Sequence, residues 1–132
     1  MITVKTKEWE ITKSFIFDVL NKDGRINFDW FDFEGFAKEG KPSVMVKVEE
    51  PLSLRLQSVM AVDAIKKNAR GNLCSLLVAV FYKNKGVSIM EEMSGLHDSL
   101  SELPADVDVT WGVLEAEDLI NDYGVIMFAF EK

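Results

Sequence analysis

Several residue types are scarce in this chain, and each scarcity closes a class of function. Cys74 is the sole cysteine among 132 residues. It can close no internal disulfide and supplies too few thiolates for a zinc site, so it reads as a small core residue of a protein kept reduced. His97 is the sole histidine. With no cysteine or second histidine near it in sequence, it reads as a surface or boundary residue rather than a ligand or base. No metal site is expected. Arginine occurs at Arg25, Arg55 and Arg70 alone, which limits bidentate clamps for phosphate or carboxylate. Positive charge as a whole is in deficit, 15 basic against 22 acidic residues for a net charge of -7. That balance argues against nucleic acid and anionic membrane as partners, since both require a basic face. The eight glycines are scattered and nowhere form a phosphate cradle. No apolar run is long: Leu76 to Tyr82 falls far short of crossing a bilayer. No basic and apolar leader opens the sequence, so the cytoplasm is the expected compartment.

What is present is an ordinary globular composition, 48% apolar and 28% charged. One domain over 1–132 is expected, with enough chain to bury a core unaided. Trp9, Phe15, Ile16, Val19 and Leu20 recur at helical spacing and predict an N-terminal helix over 6–20, stopped at Asn21-Lys22-Asp23-Gly24. Residues 30–38 read as a short helix that Gly40-Lys41-Pro42 breaks. Val44, Val46 and Val48 alternate with Met45, Lys47 and Glu49 and predict a strand. Leu56, Val59, Val62 and Ile65 predict a helix within 53–68, with Ser53 or Ser58 as its cap. Leu76 to Tyr82 reads as a strand buried on both faces. Ser88 and Glu91 have capping-box spacing, and Ile89, Met93, Leu96 and Leu100 carry a helix over 88–102. Val107, Val109 and Trp111 alternate with acids and Thr110, and Val125 to Phe130 follows as a last strand. Met45, Met60, Met90, Met93 and Met127 fall at apolar positions and read as core filler. Glu91-Glu92 and Glu115 to Asp118 read as solvated acidic faces.

The order of elements predicts an α+β two-layer sandwich: about four strands in a mixed sheet, helices on one face, a closing hairpin, and an N-terminal helix before it. Three regions follow: the helix within 1–23, an acidic aromatic segment and short helix over 24–40, and the sandwich over 41–132.

The densest chemistry lies in Gly24-Arg25-Ile26-Asn27-Phe28-Asp29-Trp30-Phe31-Asp32. An amide and two carboxylates stand within six positions, interleaved with aromatic rings. Asp29 can cap the following helix and Asp32 can sit in its first turn, where the helix dipole favours acids. The same groups can instead face a partner, and the two roles are compatible. Trp30, Phe31, Phe33 and Phe36 read as core, with room for an exposed contact patch among them.

This nonapeptide resembles the catalytic loop of FtsZ, the bacterial tubulin homologue, a loop of the form Gly-Leu-Ile-Asn-apolar-Asp-aromatic-Ala-Asp. Gly24, Ile26, Asn27, Asp29 and Asp32 match it, with Trp30 at the aromatic position. Ala61-Val62-Asp63-Ala64-Ile65-Lys66-Lys67 is similar to the Ala-rich helix of that family's C-terminal domain. Asp108 to Leu114 with Val125 to Phe130 looks like its final hairpin. The resemblance spans residues 8–130. Phe31 departs from the small residue of the family loop, and neither the family's phosphate loop nor its membrane-anchoring tail peptide is found. The resemblance implies the fold of a tubulin/FtsZ C-terminal domain without its GTPase half. It also implies a partner role: in the family this loop reaches the nucleotide of the neighbouring subunit, where its acids position water and metal. By that resemblance Asn27, Asp29, Trp30, Phe31 and Asp32 would contact an FtsZ-type GTPase subunit. No catalytic residue, enzyme activity or cofactor of the chain's own is expected, and a second copy stays open as a partner. Two alternatives stand beside this reading. One is a structural fragment or decayed relative with no filament role. The other is a small oligomeric α+β domain with a ligand site between subunits.

Overall fold

The computed structural model describes residues 2–7, 10–12, 14, 16, 41–69, 71–83, 89–101, 103, 106–115 and 121–131, with the backbone alone for 89–93 and 111–115. The chain runs through β1 (Ile2–Lys5), β2 (Lys41–Val48), α1 (Leu54–Asn68), β3 (Leu73–Tyr82), α2 (Ile89–Leu100), β4 (Asp108–Glu115) and β5 (Tyr123–Glu131). The strands form one mixed sheet in the order β1-β2-β5-β3-β4. β3 and β4 are parallel; the other neighbouring pairs are antiparallel.

Both helices are crossovers between strands of like direction. α1 carries the chain from β2 over β5 to β3, and α2 carries it from β3 to its neighbour β4. Both steps move the same way across the sheet, so crossovers of one hand place both helices on one face. β2, β3 and β5 supply alternate residues to that face. Val46, Met127 and Val78 form one rung across β2, β5 and β3, and Val48, Val125 and Val80 the next. Leu54, Ala61, Val62 and Ile65 of α1 and Leu96 of α2 close over them. Burying each large aliphatic side chain contributes about 1.5–3 kcal/mol.

Local chemistry marks the helix ends. Ser53 caps α1, its Oγ accepting from the Leu56 amide at 3.3 Å. The far end closes with the Ala69 amide on the Ile65 carbonyl at 2.8 Å. The helices approach closely where α2 has glycine: a Cβ on Gly95 would lie 2.6 Å from Cβ of Arg55. Small residues suit such a contact, and buried Ser58 and Ser99 stand on the same two helices.

Several expectations need correction. The sheet has five strands, not four, because Ile-Thr-Val-Lys at 2–5 pairs with β2. The first element is therefore a strand and not a helix. Of the segment 6–20 expected to be that helix, Ser14 and Ile16 are helical and Glu10 lies in a 3-10 turn, while 8, 9, 13, 15 and 17–20 lie outside the described residues. The face away from α1 and α2 is not open to water: Met45, Leu77, Ala79, Ile126, Phe128 and Phe130 form a second buried cluster there, joined by Ile11 and Ile16. Nor do the last two strands make a hairpin. β5 inserts between β2 and β3, while β4 pairs with β3. All nine residues of β5 are buried, and a strand apolar on both faces is satisfied only at the centre of a covered sheet. Pro42, read as a breaker, lies inside β2. It sits at a register shift, beyond the end of the β1 pairing, where its missing N–H is tolerated.

Candidate functional site

Asn27, Asp29, Trp30, Phe31 and Asp32 lie outside the described residues, as does all of 17–40. The acidic aromatic segment thus remains a reading of the sequence. Arg25, Arg70, Ser88 and residues 116–120 lie outside as well, together with the side chains of Glu91, Glu92, Met90 and Met93.

The other singled-out residues can be placed. Met45 and Met127 are buried, one on each face of the sheet, and Met60 packs partly buried on the helix-side core. Cys74 is half-buried, its thiol donating to the Phe130 carbonyl at 3.2 Å. It behaves as a small core residue. His97 is exposed in the last turn of α2. Among the described residues, no group of three or more His, Cys, Asp or Glu is placed to hold a metal ion. No described helix is long and apolar enough to cross a membrane.

His97 does border a feature that periodicity could not reveal. A cleft of about 280 Å³ opens between the C-terminal half of α2 and strand β4, lined by Leu96, His97, Leu100, Ser101 and Val109. Leu96 and Leu100 turn inward as the helical stripe requires, and Val109 projects from the same face of the sheet, opposite Leu76. The lining is mostly apolar, with one imidazole and one hydroxyl at the rim. Beside it β4 is an outermost strand, and Asp106 and Asp108 at its start are exposed.

Gln57 is a second residue that the sequence reading did not single out. It is fully buried on α1. Its Oε1 accepts from the Glu50 amide at 3.2 Å, and its Nε2 donates to the Leu52 and Tyr123 carbonyls at 3.0 Å each. One side-chain amide thereby ties the β2–α1 connection to the start of β5. The only hint in sequence is a polar residue beside Leu54, Ser58 and Ala61 on the inward side of a helix. At the other end of β5, buried Glu131 accepts from the Gly71 amide at 2.6 Å.

No protein-family model matches the chain, and no curated protein matches it. Solved structures do. An empty FtsZ dimer from M. jannaschii superposes with a TM-score of 0.59 at 16% identity, over 87% of this chain and 34% of the FtsZ chain. A point mutant of M. jannaschii FtsZ gives 0.56 at 16% identity, over 89% of this chain and 36% of that one. The chain spans about a third of the length of the FtsZ structures it matches. At this identity the likeness is one of fold. The sheet and its crossover helices are arranged as a portion of FtsZ is, a match consistent with a fragment like its C-terminal domain.

Proposed function

We propose that this chain is a non-enzymatic interaction module of the FtsZ C-terminal type, acting in the bacterial cytoplasm on filaments of cell division. It docks, loop 24–32 first, on the nucleotide face of a GTP-binding FtsZ-type subunit. Asn27, Asp29 and Asp32 face the partner's nucleotide, and Trp30 and Phe31 supply the apolar anchors of the contact. The 132 residues carry no glycine-rich phosphate loop, so a docked chain offers no such face to the next subunit. It therefore caps or limits the filament.

One observation carries this reading: most of the chain matches FtsZ in fold while covering only about a third of it. The order of the loop motif, the Ala-rich helix and the final strands in the sequence supports it.

Sedimentation of GTP-assembled FtsZ with and without this protein tests the reading. The expected outcome is less polymer in the pellet, with this chain bound at substoichiometric amounts. Unchanged polymer mass with no co-sedimentation sinks it. Asp29→Ala combined with Asp32→Ala is expected to weaken the effect, since these two acids are the groups proposed to position water and metal at the partner's nucleotide. An undiminished effect removes the loop from the mechanism.

A further inference from the structure

The two edges of the sheet differ in character, and they fit one another. β1 forms one edge and β4 the other. Ile2 and Val4 of β1 are apolar yet 44% and 39% exposed. Their register partners Val48 and Val46 belong to the helix-side core, so Ile2 and Val4 stand on the helix side of the sheet. At the opposite edge Val109 stands on the same side, at the cleft it shares with Leu96 and Leu100.

Strand directions complete the match. β1 runs antiparallel to β2, and β4 runs parallel to β3 and therefore to β2. A second copy laid alongside in the same orientation thus presents its β1 antiparallel to β4, with helices on the same face. Setting Val4 of that copy opposite Val109 places Lys5 opposite Asp108, Lys7 opposite Asp106 and Thr3 opposite Thr110. Opposite charges, paired threonines and β-branched or aromatic pairs are the favourable cross-strand combinations. Sliding by two residues in either direction breaks the Thr–Thr match and leaves one Lys–Asp pair in place of two. Pairing β1 with β1 makes no Lys–Asp pair, and pairing β4 with β4 sets acidic starts on both strands.

We propose that β1 of one copy adds to β4 of the next in this register, Val4 seated at the mouth of the α2–β4 cleft, to build a head-to-tail assembly with a continuous sheet. Such a contact is heterologous and open-ended. It uses neither loop 24–32 nor a nucleotide, and it stands or falls independently of docking on FtsZ. Only four strand residues and one apolar anchor meet, so each contact is weak and assembly grows with concentration.

Cross-linking of the purified chain tests the register. In a Cys74→Ser background, Thr3→Cys with Thr110→Cys places two thiols face to face across the contact. Within one chain they lie at opposite edges of the sheet, about 19 Å apart at roughly 4.8 Å per strand, too far to bridge. Oxidation at rising concentration is expected to give a ladder of dimers, trimers and higher species from the double variant, with each single variant remaining monomeric. The absence of a ladder overturns the proposal. So does a disulfide dimer from Thr3→Cys alone, which reports a β1–β1 contact, or from Thr110→Cys alone, which reports β4–β4. Lys5→Glu with Lys7→Glu is expected to cut ladder yield about tenfold. Adding Asp106→Lys and Asp108→Lys to the same chain is expected to restore it. Failure of that charge swap to restore the ladder rejects the register.

Discussion

β4 and β5 follow one another in the chain and occupy opposite situations in the sheet. β5 is the middle strand, with all nine residues buried. β4 is an edge strand that opens with exposed Asp108 and pairs on one side with β3. Adjacency in sequence would join them as a hairpin, and adjacency is overridden. Tyr123 to Phe130 is apolar at nearly every position, so each of its faces needs cover and each of its edges a neighbour. Asp106, Asp108 and Thr110 interrupt the apolar pattern of the other segment and suit it to water. Apolar area removed from water, at about 25 cal/mol per Å², decides which strand takes the centre.

The contrast can be broken from the inside outward. Phe128→Ala removes a fully buried ring from the centre of β5 and is expected to cost about 3–5 kcal/mol, read as a lower denaturant midpoint at an unchanged slope. A cost under about 1 kcal/mol would show that the second face of the sheet is not closed over that ring. Gln57→Ala comes next. It leaves the Tyr123 and Leu52 carbonyls and the Glu50 amide without their side-chain partner, at an expected cost of about 2–4 kcal/mol. Faster amide exchange at the start of β5 than in β3 would locate the damage, and uniform exchange would show that Gln57 does not anchor that end. The smallest effect belongs to the edge. Asp108→Lys changes an exposed side chain and is expected to leave thermal stability within about 0.5 kcal/mol of the parent. A larger loss would mean that the start of β4 is held by more than its pairing with β3.

Much of this architecture was legible residue by residue. Ser53 was one of two candidate caps for α1, and its hydroxyl holds the first turn. The alternation from Val44 to Val48 is the helix-side stripe of β2, and of the stretch Leu76 to Tyr82 expected to be covered on both faces, Leu76 to Val80 is buried while Phe81 and Tyr82 are half-buried. β1 was missed because four residues are too few for a secure period, although Ile2 and Val4 alternate with Thr3 and Lys5. The α2–β4 cleft was illegible because Leu96 and Val109 come together only through a crossover. The five residues offered as a partner site, Asn27 to Asp32 without Phe28, rest on sequence alone.

By itself the sequence determined where α1, α2 and the strands from β2 onward form, since periodicity and caps act within a turn or a strand and need no distant partner. It also excluded a phosphate cradle and a disulfide framework, which depend on composition and spacing alone. Only the tertiary structure decided the order of the strands, which of them stand at the edges, and the cleft between α2 and β4. Those depend on competition among all strands for the same buried positions, and that competition is settled only when the whole sheet assembles.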